Sequence, residues 1–407
     1  MLSIREALEL MLPQFAPLGP ESVPLLAAPG RVLYADALAA LELPEFDNSA
    51  MDGYAVRHAD LRPDGALPLQ GESRAGAGLP EALRPGHAVR IFTGAPLPAD
   101  ADTVVIQENV ERRAAQILVR ELPRAGANIR RRGSDVRRGE RILNAGALIG
   151  PPEIGLLAAQ GCSTLQVFAQ PRVAILATGD ELRAIDAPPA PGTIINSNAY
   201  ALAAAVEQAG ARASVLPIAR DRLSDISERI AEGLQADLLL SVGGVSVGDY
   251  DLVSQALREA GVAIEFHKVA IKPGKPLLFG RHGRVPVVGL PGNPVSALVT
   301  FTVFVRPGLA RLQGRSAPFD ETLEVELAHA YEHSPGRTEF VRARLTREGP
   351  VWRAQLHPKQ GSGSLQSLVQ QDALVILPAD RAQFSAGTRL NALRIVPALR
   401  ATPPAFD

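Results

Sequence analysis

"ADLLLSVGGVSVGDYD", Ala236–Asp251, is the stretch on which the reading of the fold turns. Its leucines and Val242 form a short apolar run of strand length that stops at Gly243 and Gly244. The residues that follow, "DLVSQALREAG" (Asp251–Gly261), carry apolar side chains at helical spacing and end on a glycine. Strand, glycine-rich turn and helix together form the repeating unit of an open α/β sheet. The same unit recurs upstream. "RVAILATG" (Arg172–Gly179) is a buried strand, and "NSNAYALAAAVEQAG" (Asn196–Gly210) is a helix with Asn196 or Ser197 as its cap. "ASVLPIA" (Ala213–Ala219) is a strand and "RLSDISERIAEGLQ" (Arg222–Gln235) an amphipathic helix. Downstream, "VAIEFHKVAI" (Val262–Ile271) reads as one strand. "PLLFGRHGRVPVVGLPG" (Pro276–Gly292) reads as a hairpin turning near His282–Gly283, and "PVSALVTFTVFVRPGLARL" (Pro294–Leu312) as an apolar helix. The alternation predicts a doubly wound, mostly parallel sheet over residues 171–315.

On either side the texture changes. Residues 3–12 have helical periodicity with Ser3 as candidate N-cap. Between about 40 and 150, short β-like runs such as "HAVRIFTG" and "ADTVVIQENV" alternate with glycine- and proline-rich connections, a β-rich insert with long loops. Pro151 and Pro152 suit the first turn of a helix that Gly161 would end. After about 316, period-2 strands joined by turn residues form a small all-β module, a barrel or a sandwich.

Bulk properties bound the function. A chain of 407 residues exceeds a single core and favours two to four domains. A net charge of −1 offers nothing to a nucleic acid or to an acidic membrane. The single cysteine, Cys162, can form no internal disulfide and lies among small apolar residues, which reads as a buried structural thiol. The N-terminal stretch carries Arg5, Glu6 and Glu9 within its apolar pattern and does not read as a signal peptide. No stretch approaches 18 uncharged apolar residues, so the expected location is the cytoplasm.

In open α/β sheets, ligands bind beyond the carboxyl ends of the strands. Four segments leave those ends here: "ATGDEL", "ARDRL", "SVGGVSVGDYD" and "GLPGNP". The glycines of the third would let backbone amides approach an anion. They are equally compatible with a plain turn, with Asp249 or Asp251 capping the next helix. Asp180, Glu181, Asp221, Asp249 and Asp251 follow three successive strands, and carboxylates gathered at one rim repel unless a cation such as Mg²⁺ sits among them. "HKVAIKPGKP" places Lys268, Lys272 and Lys275 within eight residues. Lys268 and Lys272 would share a strand face, with Lys275 projecting from the turn at Pro273–Gly274. They would either solubilise the strand or grip an oxyanion. Pro291 and Gly292 set a rigid chain path before Asn293 and Pro294, candidate N-cap and first helical residue. In the insert, "EFDNSAMDGYAVR" (Glu45–Arg57) centres on Asp52 before a tight-turn glycine, and Thr93 ends a β-like run. Residues 124–141 hold seven arginines against two acids, either a solvated face or an anion site.

Taken together, "FDNSAMDGYAVR", "RIFTGAPLP", "IRRRGSD", "LATGDEL", "INSNAYAL", "SVGGVSVGDYD", "KVAIKPGKP" and "GLPGNPVSA" resemble, in order and spacing, the molybdopterin molybdenumtransferase family, whose relatives include the C-terminal domain of gephyrin. The resemblance covers nearly the full chain. It implies four parts: an elongated discontinuous part (1–40 and 141–170), a β-rich insert (41–140), an α/β molybdopterin-binding part (171–315) and a C-terminal β-barrel (316–407). It implies a homodimer in which the insert of one subunit faces the α/β rim of the other. Other cofactor-synthesis proteins are further implied partners. The implied reaction takes adenylylated molybdopterin and molybdate, uses Mg²⁺, and releases AMP and molybdenum cofactor. Carried onto matching positions, Asp52, Glu181, Asp221 and Asp251 take catalytic and metal roles. Thr93, Arg130, Arg132 and Asp135 support the anion. Gly243, Gly244, Ser246 and Gly248 form a cradle, with Pro291 and Pro294 beside it. Lys268, Lys272 and Lys275 bind molybdate and the pterin phosphate. Two alternatives stand beside this: adenylylation of molybdopterin, and a gephyrin-like dimeric scaffold without catalysis.

Overall fold

The computed structural model describes residues 1–244 and 252–395. The chain divides into two compact units. One is built from Met1–Val23, Gly30–Tyr34 and Gln166–Asp407, the other from Pro24–Pro29 and Ala35–Leu165.

The first unit contains a six-stranded mixed sheet. Its elements are β1 (Arg172–Ala177), α1 (Ser197–Gln208), β2 (Arg212–Val215), α2 (Leu223–Gly233), β3 (Leu238–Val242), α3 (Leu252–Glu259), β4 (Ala263–Lys268), β5 (Pro276–His282) and β6 (Val285–Leu290). The helix α4 (Pro294–Leu312) follows. The strand order is β2-β1-β3-β6-β5-β4, parallel from β2 to β6, with β5 antiparallel to both neighbours. This is the expected mostly parallel arrangement. The inner strands β1, β3, β5 and β6 are mostly buried on both faces, which is why they read as continuous apolar runs, whereas the edge strands β2 and β4 are mostly exposed or half-buried. Val173, Ile175, Leu238 and Leu240 face α1 and α4, whereas Ala174, Leu176 and Leu239 face α2 and α3. The period of two thus assigns each strand residue to one of two cores.

Three features of the first unit bear on the sequence reading. The N-terminal helix Ile4–Met11 has its expected cap, with the Glu6 amide donating to Ser3 Oγ at 3.2 Å and the Ser3 amide to Glu6 Oε2 at 2.7 Å. The helix Pro151–Ala159 lies in the other unit. Ala7, Met11 and Phe15 pack into the core of the sheet. The Phe15 ring stacks on Phe279 at 6.1 Å and fills the space beside Gly308, where a Cβ would come within 2.5 Å of the ring. Secondly, α4 has the length and mean hydropathy (1.3) of a membrane span, but 78% of that window is buried and it serves as a core helix. It carries a π-helical segment at Phe301–Val305. Thirdly, "VAIEFHKVAI" is not one strand. It leaves the sheet after Lys268, the Val269 amide bonds the Lys275 carbonyl, and Ile271–Lys272 pairs instead with Thr338–Glu348. Lys268 and Lys272 therefore share no strand face.

The C-terminal strands Thr322–Leu327, Thr338–Glu348, Val351–Leu356, Ala373–Leu377 and Arg389–Arg394 close into a five-stranded barrel. Inward residues such as Val341, Ala343, Val375 and Ala392 fill it.

The second unit is built on a six-stranded sheet ordered Thr103–Ile106, Gly53–Val56, Ala88–Ile91, Ala66–Ser73, Gln116–Val119 and Val110–Arg113. Tyr54 and Val56 face one core, Ala55 the other. Gly53 is required by close approach, because a Cβ there would strike the Val105 carbonyl of the neighbouring strand. Cys162 is half-buried rather than fully buried, since it sits just past the end of the helix Pro151–Ala159.

Candidate functional site

Because β2, β1, β3 and β6 run parallel, the segments leaving their carboxyl ends lie along one rim of the first unit. Thr178 bridges to Ala219, and the Gly179 amide donates to the Ala219 carbonyl at 3.2 Å. Gly243 has φ +84°, its amide reaches the Leu290 carbonyl, and a Cβ on it would lie 3.2 Å from the Thr178 carbonyl. A Cβ on Gly292 would lie 3.6 Å from Gly243 Cα. The Gly292 carbonyl is held from α1 by Asn198 Nδ2 at 2.7 Å. Segments after three strands thus meet within a few atoms of Gly243. Small residues are needed there because side chains would fill the crevice.

The acids of the rim are placed by backbone turns. Asp180 and Asp221 clasp each other, each amide donating to the other's carboxylate at 3.3 Å. One oxygen of each carboxylate has no protein donor among the described residues. Glu181 folds back over Gly179, whose φ of +146° and missing side chain make room for the carboxylate. Arg220 stays at the rim by bonding the Asp180 and Leu182 carbonyls.

The lysines reach the rim from different directions. Lys268 ends β4 and is half-buried, while Lys275 is exposed on the return to β5, and neither has an ion pair among the described residues. Lys272 is bound by the barrel, its Nζ lying 3.0 Å from Glu339 Oε1. Pro291 is buried, while Pro294 opens α4 as expected. Asn293 takes the N-cap backbone conformation, but its side chain donates to Ser362 Oγ at 3.0 Å instead of capping. Ser362 and Glu339 are rim-associated residues that sequence spacing missed. Both sit in the barrel, roughly 70 residues from their partners, and no local pattern marks them. Ser246, Gly248, Asp249 and Asp251 lie outside the described residues.

In the second unit, Asp52 and Thr93 form a tight pair. The Thr93 amide and hydroxyl both donate to Asp52 Oδ1, at 2.7 and 2.8 Å. The amide, then the hydroxyl, hold the Asp52 carboxyl below the ordinary carboxylate range, with Arg90 adding to the effect. Asp52 Oδ2 has no donor among the described residues. Of the seven arginines of the run, three are paired with acids from outside it. Arg131 pairs with Asp47 at 2.6 Å, Arg132 pairs with Glu42, and Arg141 pairs with Asp36 at 3.2 Å. Burial would raise the Asp47 carboxyl, but the Arg132 amide and the Arg131 guanidinium outweigh it and hold it down. Arg130 is exposed, without an ion pair among the described residues, and pairs through its backbone with Asn48. Asp135 is exposed, and its amide bonds the Leu43 carbonyl. Within each unit, no three histidine, cysteine or acidic side chains among the described residues form a metal-holding group.

This arrangement has known counterparts. Residues 2–161 match the MoeA N-terminal region (domain I and II), 174–311 a probable molybdopterin binding domain, and 324–394 the MoeA C-terminal region (domain IV). The chain is 38% identical to a molybdopterin molybdenumtransferase of Nostoc, over 92% of this chain and 88% of the relative. It is 37% identical to molybdopterin molybdenumtransferase 2 of Mycobacterium tuberculosis, over 96% of this chain and 99% of the relative. A crystal structure of a molybdopterin biosynthesis MoeA protein from Pyrococcus horikoshii superposes with a TM-score of 0.82 at 30% identity, covering 96% of this chain and 99% of that one.

Proposed function

The chain belongs to the molybdopterin molybdenumtransferase family, transferases of molybdenum-cofactor biosynthesis, and we propose that it inserts molybdenum from molybdate into adenylylated molybdopterin with Mg²⁺, releasing AMP. Water adds to phosphorus as the pyrophosphate P–O bond breaks and AMP leaves; the two dithiolene sulfurs then bond molybdenum as one molybdate oxygen departs as water with the two thiol protons. The sulfur ligands belong to the substrate, so a single half-buried cysteine is no obstacle.

The observation that carries this reading is the convergence at Gly243. Open backbone, uncompensated carboxylate oxygens and lysines line one strand-end rim. The Gly243–Gly244 backbone would seat phosphate oxygens, while Lys268, Lys272 and Lys275 would hold the pterin phosphate and the molybdate oxyanion. The described side chains hold no ready-made three-ligand metal group, but Asp180 and Asp221 each keep a carboxylate oxygen without a protein donor, which suits Mg²⁺ held by one or two carboxylates and completed by substrate phosphate oxygens. Bound there, it would polarise the phosphate bond. We assign it Glu181 and Asp221, with Asp52 and Asp251 completing the set. In our reading the active form is a cytoplasmic homodimer in which Asp52, Thr93 and Arg130 of one subunit serve the rim of the other.

The test is direct. Purified protein with adenylylated molybdopterin, Mg²⁺ and molybdate should release AMP and yield cofactor that activates an apo-molybdoenzyme. Absence of both products sinks the proposal, and pyrophosphate release from ATP with free molybdopterin would point to the adenylylating step. Asp52→Ala and Lys275→Ala proteins, each inactive alone, should recover about a quarter of the activity when mixed one to one and allowed to exchange subunits, since about half of the dimers are then heterodimers with one intact site. No recovery would rule out a site shared between subunits.

A further inference from the structure

Arg90 touches each of the three segments that hold Asp52 in place. Its Nη1 donates to the Gly53 carbonyl at 3.1 Å and its Nη2 to Gln107 Oε1 at 2.7 Å. Its guanidinium lies over the Tyr54 ring, 5.0 Å from the centroid, and over the Phe92 ring, 4.9 Å from the centroid. The sheet brings these groups together. Arg90 stands directly opposite Tyr54 where Ala88–Ile91 pairs with Gly53–Val56, and Phe92 follows two residues on, so the three side chains share a face.

The segments so tied are the ones that set the Asp52 carboxylate. The Gln107 amide donates to the Asp52 carbonyl at 3.0 Å. Thr93, next after Phe92, donates twice to Asp52 Oδ1. The strand ladder stops just short of all of them, since its last pairs are Gly53 with Ile91 on one side and Gly53 with Ile106 on the other. Asp52, Thr93 and Gln107 lie past that end, where the contacts of Arg90 add to the turn bonds in keeping their spacing. An arginine suits the place. Its planar fork can bond acceptors on two segments while the face of the plane rests on aromatic rings, which a lysine ammonium with one nitrogen cannot do.

We propose that Arg90 is a positioning residue for Asp52: it staples the strand ends that carry Asp52, Thr93 and Gln107, and so fixes the direction in which Asp52 Oδ2 faces the reacting groups. This rests on the reading of Asp52 as a catalytic residue. Arg90 acts through Asp52 alone.

Two substitutions separate geometry from charge. Arg90→Lys keeps a cation and loses the fork, whereas Arg90→Met keeps an apolar stem and loses the cation. In the AMP-release assay both should lower kcat about ten- to a hundredfold, because a catalytic group displaced by about 1 Å costs up to that much. The KM for molybdate should stay within about threefold, since no binding contact is removed. A kcat in Arg90→Lys equal to that of the parent chain shows that charge alone suffices and overturns the proposal, as does a loss confined to KM. Gln107→Ala removes one acceptor of the fork at an exposed position. It should lower kcat in the parent chain and cost nothing further in Arg90→Met, and additive losses overturn the staple. Asp52→Asn separates the two levels: an unchanged kcat there rejects the role of Asp52 itself. A readout without turnover is the crystal structure of metal-free Arg90→Met. At least one of the two Thr93 bonds to Asp52 Oδ1, or the Gln107 bond to the Asp52 carbonyl, should be open, and all three intact refutes the proposal. Should Arg90→Met not fold, Arg90→Lys carries the same crystallographic comparison.

Discussion

Replacing three neighbouring rim glycines with alanine should produce a graded loss that depends on local geometry and not on glycine content. Gly244 has φ +65°, and a Cβ on it would strike Val253 Cγ2 and come within 2.9 Å of Thr178 Oγ1. The left-handed backbone costs an alanine about 1–3 kcal/mol. Overpacking against a buried valine adds about 1–3 kcal/mol, so Gly244→Ala should lose about 2–6 kcal/mol. Gly243 has the same backbone problem at φ +84°, but its Cβ would meet only the Thr178 carbonyl, at 3.2 Å, tight yet relievable by a few tenths of an ångström. Gly243→Ala should therefore lose about 1–3 kcal/mol. Gly292 is not in the left-handed region, and its Cβ would make an ordinary 3.6 Å contact, so Gly292→Ala should stay within about 0.5 kcal/mol. Urea unfolding followed by circular dichroism measures the series. Activity should fall in the same order, because a rim displaced by about 1 Å costs roughly a hundredfold in rate. Equal losses at Gly244 and Gly292, or no loss at any of the three, would refute the claim that strand-end convergence demands these glycines.

Three further outcomes follow from other parts of the chain. Thr93→Val removes one of two donors to Asp52 Oδ1, so the Asp52 carboxyl rises toward its ordinary range. A depressed carboxylate is lost only as pH falls through its folded value, so the acid limb of the activity profile should move to higher pH in this variant; an unmoved limb would show that Asp52 does not set it. Gly53→Ala drives a Cβ into the Val105 carbonyl and should cost the insert about 3 kcal/mol, seen as proteolysis confined to residues 35–165. Phe15→Ala empties the space between Phe279 and Gly308 and should lower stability by about 3–5 kcal/mol in urea, whereas a loss below about 1 kcal/mol would mean that the N-terminal segment is not docked there.

Local sequence determined a great deal of this protein. Apolar runs stopped by glycine placed β1, β3 and β6, and caps such as Ser3 and Asn196 marked helix starts, because these signals act within a few residues. The convergence of strand-end segments was legible for the same reason, since parallel strands put their carboxyl ends on one edge. What only the tertiary structure decided was which charges remain available. The seven arginines of the run look equivalent in one dimension, but Asp47, Glu42 and Asp36, 84 to 105 residues away, pair with three of them. The three lysines look equivalent, yet the chain leaves the sheet after Lys268 and delivers Lys272 to a buried carboxylate in the barrel. Periodicity encodes which face a residue occupies. Ion pairing depends on which distant segment shares that face, and that is settled only when the strands find their neighbours.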